Sequence, residues 1–197
     1  YIAALKLLRD DCKVAVLDLQ GNILQKKKLD FIALPPEQFL ESVVASLNEM
    51  FAAEKVIREH IIGVGVAASG ICHPKEGLVI KSVNLGWENI PIANILGNEL
   101  QLPIFLENDA NACALAEFLL GNARDTDNSM YIKTEEGAGA GIISNSALLT
   151  GPRFISGEIA HIPLITNGEK CRCGQQGCLE SYVYFGDIQR RFQKTKG

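Results

Sequence analysis

The chain has 197 residues, 47% of them hydrophobic and 21% charged, with 19 Lys plus Arg against 23 Asp plus Glu for a net charge of −4. That length fits one large domain or two small ones, and the balance supports a buried core, which excludes disordered and collagen-like classes. No basic run could neutralise a row of phosphates, and apolar runs such as residues 61–68 fall far short of the ~20 residues of a membrane helix. The segment is therefore expected to bind neither nucleic acid by itself nor a membrane, and, with no charged-then-apolar leader, to be soluble and cytoplasmic.

In chain order, residues 1–7, 13–19 and 23–31 read as three strands, the last two joined by the turn Gln20-Gly21-Asn22, and short turns predict an antiparallel meander. Pro35-Pro36-Glu37 opens a helix in which Phe39, Val43, Leu47 and Met50 or Phe51 recur at about four residues, one buried stripe expected to run to about Glu59. The apolar run 61–68 ends in Ser69-Gly70, the pattern of a central strand whose carboxyl end opens into a loop where ligands gather. A strand at 78–83, a short helix at 91–100, a strand at 104–106 and an Ala-rich helix at 109–121 continue a β-α-β grammar. From Ser129 the pattern restarts with a strand at 130–134, a glycine-rich bend, a strand at 142–144, the turn Asn145-Ser146 and a strand through Leu149. The restart predicts a first lobe over 1–106 and a second over 107–197.

The six cysteines are too sparse for a secreted disulfide scaffold and are unevenly spread. Cys12, Cys72 and Cys113 sit in apolar surroundings and read as buried thiols. Cys171, Cys173 and Cys178, with His161 upstream, supply three thiols and an imidazole, a complete tetrahedral set for zinc that leaves no position for water. A closed set predicts a structural metal. It would brace Glu180, two residues past the last cysteine, and fix Glu158, three residues before His161.

Two further segments carry polar chemistry. Glu107-Asn108-Asp109-Ala110-Asn111 lies between a strand and a helix, where Asp109 could take a proton from a hydroxyl and Asn108 or Asp109 could equally cap the helix. Gly137-Ala138-Gly139-Ala140-Gly141 reads as a bend whose missing side chains admit a ligand or neighbouring backbone. As a phosphate loop it is opposed by Glu135-Glu136, because like charges ~4 Å apart cost about 4 kcal/mol at an effective dielectric near 20.

Taken in order, Asn84-Leu85-Gly86-Trp87, Glu107 to Asn111, Gly137 to Gly141, Gly157 to His161 and Cys171 to Glu180 resemble the signature series of the ROK family (repressor, open reading frame, kinase), closely over about residues 60–185 and by topology before that. The resemblance implies an α/β fold of the actin-like ATPase (ribonuclease H-like) type, two-lobed, with mixed sheets flanked by helices and a small structural zinc loop. It implies a sugar bound between the lobes by Asn108, Asp109, Glu158, His161 and Glu180, with Asp109 matching the catalytic base of the kinase members, and zinc held by His161, Cys171, Cys173 and Cys178.

The departures from the family pattern point to its repressor branch, of the kind that answers xylose or N-acetylglucosamine. Kinase members carry an Asp-x-Gly-Gly-Thr-Lys loop after the first strand, where this chain has Leu5-Lys6-Leu7-Leu8-Arg9-Asp10-Asp11. Their second phosphate loop reads Gly-Thr-Gly-x-Gly, where this chain has Glu135-Glu136-Gly137-Ala138-Gly139. Phosphoryl transfer depends on positioning and charge stabilisation, so Asp109 without those loops should transfer little phosphate. The expectation is the effector part of a sugar-sensing repressor, acting as a homodimer or homotetramer on operator DNA through a winged helix-turn-helix upstream of Tyr1, in a longer protein. An ATP-dependent sugar kinase is the alternative. A zinc-ribbon interaction module is the third reading, and the lack of paired CxxC arms speaks against it. The shape of the cleft near Ser69, Gly70 and Asn84 would choose the sugar.

Overall fold

The computed structural model describes residues 1–8, 11–30, 34–53, 56–134 and 137–195. The chain divides into two compact units, Tyr1–Asp109 and Ala110–Gly197. Among the described residues, no helix is long and apolar enough to cross a membrane.

The first unit opens with the predicted meander, β1 (Ile2–Leu7), β2 (Asp11–Leu17) and β3 (Ile23–Asp30), antiparallel at both junctions. Strand alternation drives Ala3, Leu5 and Leu7 of β1 and Cys12, Val14 and Val16 of β2 into the core. β3 lies at the sheet edge and is largely exposed, and its Lys26, Lys27 and Lys28 discourage pairing with another chain. α1 (Pro36–Phe51) starts where the two prolines predict, with Pro36 at a position whose missing N–H costs no helical bond and Glu37 beside the positive helix end.

The apolar stripe of α1 is buried as expected, but the helix stops at Phe51 rather than near Glu59. In the sequence the stripe's next positions are the charged Glu54 and Lys55, which lie outside the described residues. A separate 3₁₀ turn, Arg58–His60, follows.

β4 (Val64–Ala68) then runs parallel to β1. A small antiparallel sheet comes next, of β5 (Ile71–His73), β6 (Leu78–Ser82) and β7 (Trp87–Ile90); only its middle strand was predicted. Trp87 is buried and meets Phe39 of α1 edge to face, ring centroids 6.1 Å apart. α2 (Ile92–Leu100) leads into β8 (Ile104–Asn108), parallel to β4, which completes a five-stranded mixed sheet in the order β3-β2-β1-β4-β8. Its register aligns Leu7, Ala68 and Asn108, so the carboxyl ends of β1, β4 and β8 end at one edge.

α3 (Asp109–Leu119) follows β8 directly and leads into the second unit's sheet, ordered β11-β10-β9. It comprises β9 (Ser129–Lys133), β10 (Gly139–Ser144) and β11 (Ala147–Leu148), with the two-residue turn Asn145-Ser146 at φ +51° and +61°, as the hairpin pattern predicts. Part of the predicted glycine bend is strand: Gly139, Ala140 and Gly141 pair with Lys133, Ile132 and Tyr131 of β9. The missing side chain of Gly141 serves α3, since a Cβ there would lie 2.5 Å from both the Ala110 carbonyl oxygen and Ala114 Cβ. α4 (Glu180–Val183) and α5 (Phe185–Thr195) end the described chain. Cys12 and Cys72 are buried as expected, and Cys113 is half-buried.

Candidate functional site

In the first unit the polar residues collect at the shared carboxyl edge of the large sheet. Asn108, the last residue of β8, donates from Nδ2 to the Gly70 carbonyl at 2.9 Å, and its backbone N–H donates to Glu107 Oε1 at 2.8 Å. Gly70 has φ +102°, and a Cβ there would overlap the Lys81 carbonyl oxygen, so this close approach requires glycine. Ser82 Oγ lies 3.2 Å from Ser69 Oγ and accepts from the Leu85 N–H at 3.2 Å, tying the predicted cleft residues Ser69 and Gly70 to the turn that holds Asn84. Asp109, the next residue along, is buried at the start of α3.

The carboxyl end of β1 differs in character. Leu5 and Leu7 of β1 and Leu8 just past it are 1%, 0% and 3% exposed, so these three leucines of the stretch compared with the kinase phosphate loop are buried. Arg9 and Asp10 of that stretch, and Glu135-Glu136 of the second loop, lie outside the described residues.

In the second unit Glu158 and His161 share one short turn. Gly157, at φ +86°, receives the Ala140 N–H on its carbonyl at 2.9 Å, and a Cβ there would overlap the Ala140 carbonyl oxygen. This contact pins the turn Ile159–His161 to β10 and sets Glu158 at its start.

The cysteine segment folds on itself through backbone bonds. Leu164 and Ile165 N–H groups donate to the Gly177 carbonyl at 2.7 and 3.2 Å, Gly177 N–H donates to Glu169 at 2.8 Å, and Cys171 N–H donates to Gln175 at 2.8 Å. Isolated bridges join Pro163 to Cys178 and Lys170 to Gln176. Gly174 and Gly177 take φ +95° and +77°, the bends expected of them.

The result brings His161, Cys171, Cys173 and Cys178 together, their ligand atoms all within 4.8 Å of one another, a group that could hold a metal ion. Tetrahedral zinc with Zn–S ~2.3 Å places neighbouring sulfurs ~3.8 Å apart. Cys173 Sγ and Cys178 Sγ are 3.8 Å apart, and Cys171 Sγ is 3.8 Å from His161 Nδ1. Burial, and then the neighbouring Cys173 and Cys171 sulfurs, push the Cys178 thiol up to about 12. Burial raises Cys171 as well. Sulfurs packed so closely resist joint ionisation unless a cation shares their charge, which is the condition a zinc ion meets.

Glu180 begins α4 and is buried. Arg172, between two of the cysteines, donates from Nη2 to Glu180 Oε1 at 2.8 Å and lies 4.4 Å from the Tyr184 ring centroid. Sequence reasoning missed this pair. The available signal was a cation inside the Cys-x-Cys step, within reach of an acid two residues past the last cysteine.

The sequence profile of the ROK family matches residues 2–196. The xylose repressor of Bacillus subtilis (strain 168) is 30% identical over 166 residues, 84% of this chain and 43% of that protein. A glucokinase of Halalkalibacterium halodurans is 32% identical over 180 residues, 90% of this chain and 54% of that protein. The crystal structure of a ROK family transcriptional regulator, a homologue of the E. coli MLC protein, superposes with a TM-score of 0.89 at 27% identity, over 98% of this chain and 49% of that one. The chain thus spans about half the length of these proteins, and repressors and kinases both stand among them. With its actin-like mixed sheet, its four-residue His/Cys cluster and a profile match running nearly end to end, this chain belongs to the ROK family.

Proposed function

We propose that the chain is the sugar-binding effector region of a ROK transcriptional repressor. The observation that carries this reading is Leu8, the first residue past β1, which is 3% exposed in the stretch where ROK kinases keep a glycine pair for nucleotide phosphates. A buried leucine there fills space that a phosphate would need and that glycine leaves open.

The sugar is taken by Asn108, Asp109, Glu158, His161 and Glu180, whose carboxylates accept hydroxyl hydrogen bonds. Zinc held by His161, Cys171, Cys173 and Cys178 has a structural role, bracing the turn of Glu158 and His161 and the loop that leads to Glu180. His161 can serve both: Nδ1 is the nitrogen beside Cys171 Sγ, so metal on that side leaves Nε2 protonated to donate to a hydroxyl. A thiol-rich zinc set also suits the reducing cytoplasm. In the whole protein, a homodimer or homotetramer, sugar binds one conformation more tightly and shifts the spacing of two winged helix-turn-helix modules, and with it the affinity for operator DNA.

The test is ADP release by the whole protein given Mg-ATP with D-glucose or D-xylose. The repressor reading expects none above the sugar-free rate, and sugar-dependent turnover overturns it. The glucokinase relative supports the second reading, an ATP-dependent sugar kinase with Asp109 as base. Turnover that disappears in Asp109→Asn would establish that role.

A further inference from the structure

We propose that Arg172 is a positioning residue for the sugar site, holding the Glu180 carboxylate in the orientation in which it receives a sugar hydroxyl. This rests on the reading of Glu180 as a sugar ligand. α4, which begins with Glu180, has only four residues and cannot hold a side chain rigid by its own cooperativity. The orientation comes from across the loop. Arg172 Nη2 takes Oε1 at 2.8 Å, while Oε2 makes no hydrogen bond among the described residues and is left as the acceptor for a ligand.

The arginine is itself held at two points. Its backbone runs between Cys171 and Cys173, so whatever fixes those thiols fixes the root of the side chain. Its guanidinium lies against the ring of Tyr184, which follows α4, and a Cβ on Gly186 would come within 2.7 Å of that ring, so the glycine leaves the ring its place. Arg172 therefore carries the order of the metal loop to the carboxylate. Glu180 is 8% exposed, and the guanidinium offsets the desolvation of its charge. Lysine would supply a point charge without the planar fork or the stacking face.

The experiment uses zinc-loaded protein and calorimetric titration with D-glucose and D-xylose as probes, with zinc stoichiometry measured on every sample. Arg172→Ala and Arg172→Gln are expected to keep zinc and lose about ten-fold or more in sugar affinity, Arg172→Lys to recover part of it, and Arg172→Ala to add nothing in a Glu180→Gln background. If Glu180→Gln loses binding while zinc-loaded Arg172→Ala binds within about two-fold of the parent, the positioning role fails and the sugar site stands. If Glu180→Gln binds sugar normally, or the parent binds neither probe, the sugar-site reading fails and the proposal with it. Loss of zinc from both Arg172→Ala and Arg172→Gln would make the residue a structural part of the metal loop and overturn the proposal.

Discussion

Two glycines in the cysteine loop offer a matched pair of substitutions. Gly174 and Gly177 both have positive φ, so alanine at either costs roughly 1–2 kcal/mol of backbone strain. Their surroundings differ: a Cβ on Gly174 has nothing within 4 Å, whereas one on Gly177 overlaps the Ile165 carbonyl oxygen. Relieving that overlap separates two segments joined by the bonds from Leu164 and Ile165 N–H to Gly177 and from Gly177 N–H to Glu169. At about 1 kcal/mol net for each bond, Gly177→Ala should cost about 4 kcal/mol in all, a large share of the ~5–15 kcal/mol that holds a typical protein folded. It should also carry the adjacent Cys178 out of the ligand set. Urea unfolding of zinc-loaded protein, with zinc competition against a chromophoric chelator, reads both effects. Gly174→Ala is expected to lose a little stability and keep its zinc affinity; equal losses in the two variants would refute the steric account.

Gly141→Ala should destabilise the protein by about 2 kcal/mol by forcing α3 off β10, whereas Gly139→Ala, whose Cβ would meet only Ala110 Cβ at 3.5 Å, should be neutral within about 0.5 kcal/mol in thermal unfolding. Ser181 is buried and its hydroxyl has no hydrogen-bond partner among the described residues, so Ser181→Ala should leave stability unchanged or raise it, and a clear fall in melting temperature would contradict that. The Asn22 side-chain amide, donating at 2.8 Å, holds the Asp18 carboxyl below its ordinary value. A depressed carboxyl contributes stability that is complete above its unfolded-state pKa and disappears as pH falls through the folded-state value. Asn22→Ala should move the NMR titration of Asp18 upward, and its stability deficit should shrink in acid; an unmoved titration would assign the shift to other groups.

Legibility from sequence followed the range of the forces involved. The gathering of His161, Cys171, Cys173 and Cys178 was readable because the four residues are close in sequence and make a donor set that suits a metal, and the meander and the onset of α1 were readable because alternation and the prolines are local signals. β5 and β7, with three and four residues, are too short to show a period and exist by pairing with β6. The strand character of Gly139 to Gly141 was hidden because glycine carries no pattern, and the close approach of α3 that requires it is visible only in three dimensions. Glu158 and Glu180 were picked out by their distance from metal ligands and by family resemblance. The partner of Glu180 was missed because a cation between two cysteines reads as surface charge until the loop folds it back.

Sugar binding through a zinc-braced loop is tested most directly by calorimetric titration of D-glucose and D-xylose into the whole protein, first zinc-loaded and then stripped by a chelator. Saturable heat from at least one sugar in the loaded form, lost on stripping and restored when zinc is returned, is the expected result. Equal heat with and without the metal, or none from either sugar in the loaded form, would contradict it.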